Sequence, residues 1–180
     1  MTAELTPGTW TLDPAHSEIG FTVRHAGISK VRGQFTEAEA ILVVGEDLAS
    51  SSVEAVVKTA SFNSKDANRD GHVKGEEFFN VALYPDMTFK ATRVEGESEE
   101  FKLHGELTIK DITKPVVFDV EFGGVAVDPF GATRAGFSAT TQISRKDFGI
   151  TWNAALEAGG VLVGDKVTIS VDSAFVLSAN

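Results

Sequence analysis

Cysteine is absent from the 180 residues. That excludes disulfides, thiolate metal sites and a cysteine nucleophile. Long apolar runs are also missing. The longest, Ala40 to Val44, suits a strand and falls far short of the ~18 residues that a membrane-spanning helix needs. The opening MTAELTPGTW has neither a basic segment nor an apolar core, so it does not read as a secretory signal. A cytoplasmic protein without stable membrane insertion is the expectation. Positive charge is scarce: 16 Lys and Arg stand against 26 Asp and Glu, a net charge of −10. That disfavours nucleic acid, whose backbone would be repelled, and electrostatic docking on anionic lipid headgroups. No G-x-S-x-G elbow, Gly-rich phosphate loop or H-E-x-x-H helix occurs, so the common hydrolase, nucleotide and zinc-protease signatures are lacking.

Phenylalanine is plentiful, at 13 residues against one Tyr and two Trp. Phe has no polar handle, so a Phe-rich interior is either a dry core or the lining for an apolar ligand. The Phe residues fall on alternating segments. Ile19, Phe21 and Val23 face one way while Gly20, Thr22 and Arg24 face the other, the period of a half-buried strand. His25 ends that strand with the parity of its apolar face. A short strand with Trp10 and Leu12 precedes it and stops at Asp13-Pro14.

After the Ala26-Gly27 turn a long strand runs from about Lys30 to Gly45. Its alternation slips once near Thr36-Glu37, which predicts a β-bulge. Further strands carry Val53, Ala55 and Val57 (about 50–62), then Met87, Phe89 and Ala91. Phe101, Leu103, Gly105, Leu107 and Ile109 follow. Pro115 opens the strand of Val116, Phe118, Val120 and Phe122. Asp128-Pro129-Phe130-Gly131 makes a hairpin turn. Ala135, Phe137, Ala139, Thr141 and Ile143 share a face, with Arg145 at the strand end. Residues 146–160 are irregular, and Val167, Ile169, Val171 and Phe175 form the last strand.

Residues 63–85 lack the period of two and are the one convincingly helical stretch between strands. There Ser64 and Gly75 are expected to cap two short helices, with Glu76-Glu77 in a favourable first turn. Phe78, Phe79 and Val81 could then face inward.

The pattern predicts an all-β protein. It is one domain over residues 1–180, an antiparallel barrel of eight or so strands with short helices in 63–85 across one end. Closure removes sticky edges. Many inward positions are small, including Gly33, Ala38, Ala40, Ala55, Ala91, Gly105, Ala135 and Ala139. These fit either a narrow tunnel or the taper of a filled barrel.

A specific resemblance joins this reading. Trp10, Leu12, Asp13, His16, Ser17, Ile19, Phe21, Val23, Arg24, His25, Gly27, Ile28, Ser29, Val31, Gly33 and Phe35 spell W-x-L-D-x-x-H-S-x-I-x-F-x-V-R-H-x-G-I-S-x-V-x-G-x-F. This resembles the opening of the YceI-like, polyisoprenoid-binding family. The likeness continues through Asn63, Asn68-Arg69-Asp70, His72, Phe78-Phe79, Val81, Tyr84-Pro85 and Phe89. It runs on through Gly105, Leu107-Thr108-Ile109 and Thr113-Lys114-Pro115 to Ile143, Arg145, Asp147-Phe148-Gly149 and Ile150. Departures are small: Gly75 stands where Ser is usual, and Glu77 and Asn80 replace common Asp.

The resemblance implies an extended eight-stranded lipocalin-like barrel. Its long apolar cavity would hold an isoprenoid, such as a quinone tail, or a related amphiphile, for carriage or storage without catalysis or cofactor. It also implies a possible homodimer. The expected apolar lining is Phe21, Val23, Phe35, Phe78, Phe79, Phe89, Leu107, Ile109, Phe118, Phe137, Ile143 and Phe148. The expected polar mouth is His25, His72 and Arg145.

Two other readings rest on the polar residues. Asp66 to Glu77, D-A-N-R-D-G-H-V-K-G-E-E, satisfies the pattern of a calcium-binding EF-hand loop. Its context is poor: a strand precedes it and Lys74 occupies the ninth position. The other reading is an enzyme using His25 or Asp70 on a lipid headgroup. Ser17 beside His16 is no catalytic pair, because neighbouring strand residues face opposite sides. His16 and His25 have opposite parity, which also disfavours a shared zinc site.

Overall fold

Alternating segments become strands because each can bury one face and leave the other in water. The computed structural model describes residues 5–157 and 159–178. Its strands are β1 (Gly8–Leu12), β2 (Glu18–His25), β3 (Ser29–Phe35), β4 (Ala38–Val44), β5 (Ser52–Lys58) and β6 (Phe62–Asn63). Helix α1 (Ala67–Lys74) comes next, then β7 (Asp86–Glu95), β8 (Glu100–Ile109), β9 (Ile112–Val127), β10 (Thr133–Ser144) and β11 (Val163–Leu177). They close into an antiparallel barrel of eight staves.

Three neighbouring staves are broken part-way up the wall. β1 and β2 make one, β3 and β4 the next, β5 and β6 the third. Below the breaks β4 pairs with β1 and β5; above them β3 pairs with β2 and β6. β11 closes the ring by pairing with β10 along most of its length, and with β2 and then β1 on its other side.

This revises the single strand expected from Lys30 to Gly45. At Thr36-Glu37 the chain changes partners, which is more than a bulge. The break is stitched: the Thr36 amide donates to Ser61 O at 3.2 Å, and the Lys58 amide donates to Glu37 O at 3.0 Å. The strand expected over about 50–62 stops at Lys58 for the same reason, and a 3-10 turn (Thr59–Ser61) leads into β6. Ser17 mends the first break. Its hydroxyl donates to Asp13 O at 2.7 Å and accepts the Ala174 amide at 3.0 Å.

One helix, not two, occupies residues 63–85. Asp66 is its N-cap and accepts the Arg69 amide at 3.1 Å. Ser64, expected to cap, is buried, and both its amide and its hydroxyl donate to Asp70 Oδ1. Gly75 ends the helix instead of starting another; its amide donates to His72 O at 3.0 Å. Residues after Gly75 form turns.

Strand β9 begins at Ile112, earlier than Pro115. The Lys110-Asp111 turn, with φ of 55° and 70°, is the tight kind that matches strand twist. Pro115 is tolerated because β10 joins β9 only from Asp119 onward, leaving that edge without a ladder partner.

Two apolar clusters fill the interior. The lower one centres on Trp10, fully buried, whose indole N–H donates to Thr6 O at 3.0 Å. The upper one contains Phe35, Phe62, Phe78, Met87, Ile109 and Phe148. Gly33 and Gly105 do not widen the barrel. A Cβ at Gly33 would sit 2.3 Å from Phe21 Cζ, and one at Gly105 would sit 2.3 Å from Phe89 Cζ. Each glycine is the floor on which a phenyl ring lies. The tunnel reading of the small residues therefore fails at these two positions.

Ions tie the lower end of the barrel to the break between β1 and β2. Arg134 donates to Asp13 Oδ2 at 2.6 Å and to Asp128 Oδ2 at 2.7 Å, and His16 Nδ1 lies 2.8 Å from Asp13 Oδ2. These contacts tie β10 to the end of β1 and to the β9–β10 turn. Arg134 holds both carboxyls below the ordinary value of 3.8, with His16 adding to the effect at Asp13.

Depressed carboxyl values stabilise the fold above the unfolded-state value, and that stability disappears as pH falls through the folded-state value. The melting temperature should therefore drop as pH falls below 3.8. Arg134→Met should lower it at neutral pH and flatten the acid limb; an unchanged limb would show that the lock is not coupled to folding. Separately, Gly105→Ala should destabilise by about 1–3 kcal/mol, because the Phe89 ring must shift, as measured by the urea midpoint.

Candidate functional site

The inner faces enclose two adjoining apolar spaces. The upper is about 490 Å³ and the lower about 200 Å³. Ile19, Met87 and Ile169 border both, so the two spaces meet at the waist of the barrel. The upper space alone lies within the usual ~300–1,000 Å³ range of ligand pockets.

Sequence-predicted lining residues divide between the two. Phe21, Val23, Phe35, Phe78, Phe79, Ile109, Ile143 and Phe148 border the upper space. Phe89, Leu107, Phe118 and Phe137 border the lower. Phe21 stacks on Phe62 at 4.9 Å, and Phe35 meets Phe79 edge-on at 5.6 Å, building one aromatic wall. Phe89 and Phe118 meet edge-on at 5.2 Å in the lower space. Aromatic pairs in such geometries hold the wall in shape without polar atoms.

Polar side chains gather at the upper end. His25, at the exposed end of β2, and His72, on α1, both border the upper space. His72 Nε2 lies 3.3 Å from Glu77 Oε1, and its side chain is 40% exposed. Its ring sits edge-on between Trp152, at 4.6 Å, and Phe78, at 5.0 Å.

Arg145 also borders this space but is only 4% exposed. Nε donates to Gly164 O and Nη1 to Ile150 O and Trp152 O, each at 2.9 Å; Nη2 donates to Val163 O at 3.2 Å. Burial pushes its guanidinium below the usual arginine value, against the attraction of Asp165. Four of its five N–H donors are thus spent on the loop that carries Trp152. Arg145 shapes the mouth by holding that loop.

The calcium reading is corrected. Residues 67–74 are helical, so the twelve-residue chelating loop is not formed. Asp66 is used as a cap, Asp70 accepts from Ser64, and Glu77 meets His72. Among the described residues no three metal-binding side chains converge. His16 lies at the break between β1 and β2, on Asp13. His104 is half-buried, with Nε2 2.8 Å from Glu95 Oε1. That contact holds the Glu95 carboxyl down.

Periodicity missed two important residues. Trp152 lies in an irregular segment, where no alternation flags it; the only available signal was an aromatic residue inside a loop. Phe62 follows the break after β5, so strand parity did not carry to it.

Comparison with known proteins supplies the family. The YceI-like domain model matches residues 10–175. The chain belongs to the YceI-like family. A UPF0312 protein of Staphylococcus aureus is 37% identical over 172 residues, covering 94% of this chain and 98% of that protein. The Campylobacter jejuni YCEI protein is 32% identical, covers 93% of this chain and 97% of its own, and superposes with a TM-score of 0.72. Burkholderia cenocepacia BcnA is 21% identical, with 91% and 98% covered and a TM-score of 0.79, and shows the shared fold. A polyisoprenoid binding domain from Saccharophagus degradans, 12% identical, superposes with a TM-score of 0.73 over 96% of this chain and 100% of its own. In this YceI-like barrel, as throughout the described residues, no helix is long and apolar enough to cross a membrane.

Arg145→Met should leave the loop carbonyls at Ile150, Trp152, Val163 and Gly164 without donors. A loss of about 1–3 kcal/mol is expected, together with faster amide hydrogen exchange confined to residues 150–164. Uniform exchange across the barrel would contradict the clamp.

Proposed function

We propose that this YceI-like barrel binds a long-chain isoprenoid or related amphiphile, such as one with a quinone head, and carries or stores it. The observation that supports this most is the interior itself: two adjoining apolar spaces, with His25 and His72 at one end only. The tail would thread from the upper space into the lower, and the head would rest near the two histidines. The Saccharophagus degradans domain, described as polyisoprenoid-binding, is compatible with this reading, but at 12% identity it speaks for the fold alone.

Threading suits storage. At ~0.8 kcal/mol per buried methylene, forty carbons would sum to on the order of 30 kcal/mol. That exceeds the practical ceiling of about 20 kcal/mol for non-covalent binding. Such a sum is no affinity, but it implies slow release. Of the two groups that headgroup chemistry could use, Asp70 accepts both Ser64 donors and does not border the chamber, which leaves His25 there without a partner acid from that pair.

Native mass spectrometry followed by organic extraction should find one bound lipid per chain. Ala139→Leu, in the lower space, should keep the fold and shift the retained lipids towards shorter chains. An unchanged chain-length profile would remove the lower space from the site. Protein that stays empty after incubation with quinones, polyprenols and fatty amides would overturn the binding reading.

A further inference from the structure

The β2–β3 hairpin differs from the rest of the chain in charge. From Ile19 to Thr36 there is no acidic residue, although the protein carries 26 of them. Arg24, Lys30 and Arg32 lie on its outer face, all exposed. Arg24 stands directly opposite Lys30 in the ladder. Like charges placed opposite each other destabilise a sheet. Among the described residues none of the three makes an ion pair to relieve this.

The hairpin tip is apolar. Ile28 is 86% exposed at a tight turn, where Ala26 and Gly27 have φ of 54° and 73°. The 153–163 loop lies against it, since the Ala26 amide donates to Leu162 O at 2.6 Å. That loop adds Val161, 51% exposed, and one exposed carboxylate, Glu157. His25, Val31 and Leu162 beside the tip border the upper chamber. The opposite end of the barrel is acidic. There the β7–β8 turn carries Glu95, Glu97, Glu99 and Glu100, and Glu46-Asp47 follows β4.

We propose that the β2–β3 hairpin docks the barrel, mouth first, on an anionic lipid bilayer. Ile28 and Val161 enter the headgroup layer while Arg24, Lys30 and Arg32 meet lipid phosphates. The inference rests on the lipid-binding reading, since a bilayer is where an isoprenoid tail would be collected. The net charge of −10 opposes non-specific adsorption. It also sharpens orientation: with the acidic end repelled and the basic hairpin attracted, the mouth faces the membrane. Docking is reversible, because three cations and two exposed aliphatic side chains are a weak anchor.

The test is co-sedimentation of the full chain with phosphatidylcholine vesicles, with and without phosphatidylglycerol. Binding is expected only to the anionic vesicles and should weaken with salt. Lys30→Gln combined with Arg32→Gln should weaken it roughly tenfold or more, and Ile28→Ser should weaken it further. Lys90→Gln with Lys102→Gln removes the same charge away from the mouth and should leave binding as it was. Equal binding by the two double variants, or no binding by the unmodified protein, would overturn the proposal. Retention of a detergent-dispersed polyprenol is measured in parallel. The hairpin variants should retain it normally yet load slowly from vesicles. If no protein retains it while anionic vesicles still bind through the hairpin, the cargo reading fails and the docking surface stands.

Discussion

Closure of the sheet through β11 is the constraint on which everything else rests. Fifteen residues, Val163–Leu177, pair with β10 on one side, and with β2 and then β1 on the other. A backbone buried against an apolar interior cannot leave its amides unpaired. The first three staves must therefore change partners and still satisfy their hydrogen bonds at each break. They do so with small local devices: Ser17 bridging to Ala174, and the Thr36–Ser61 and Lys58–Glu37 bonds. Without them the wall would open at its waist, where the two chambers meet.

A closed wall converts side-chain parity into an enclosed volume. Phe rings laid over Gly33 and Gly105 show that small residues in this barrel make room for aromatics as well as for space. What remains empty is apolar almost throughout, with its polar groups collected at the upper end. The Asp13–Arg134–Asp128 lock ties the β9–β10 turn at the lower end to the break between β1 and β2. The Arg145 clamp and α1 leave the upper end bordered by a loop, a helix and a hairpin tip. Asymmetry of the two ends gives the barrel a direction. The charge distribution repeats that direction, acidic below and basic at the β2–β3 hairpin.

Much of this was legible in the residues. Alternation at Ile19, Phe21 and Val23, or at Leu107 and Ile109, is set by local backbone geometry and needs no knowledge of partners. Parity also placed the strand-borne lining residues on the inner wall. The helix was harder to read. Ser64 and Asp66 are both good caps, and the choice between them was made by Asp70, which takes the Ser64 donors once the chain has folded back. Likewise Arg145 read as a mouth cation, because nothing in its neighbours on the chain reveals that loop carbonyls up to 19 positions away will surround it. Trp152 had no period to betray it.

The sequence by itself determined the all-β class, the strand parities, the family and the acidic character, because each depends on neighbours along the chain or on a fixed spacing of motif residues. Only the tertiary structure decided where the staves break, which small residues are floors for aromatic rings, and that Asp66–Glu77 is a capped helix with no chelating loop. It alone also brought Ile28, Val161 and three cations, unpaired among the described residues, together beside the chamber. The helix was settled by short-range bonds among Ser64, Asp66, Arg69 and Asp70; the other outcomes depend on contacts between segments further apart in the chain, and no local pattern encodes which distant group will reach a given donor first.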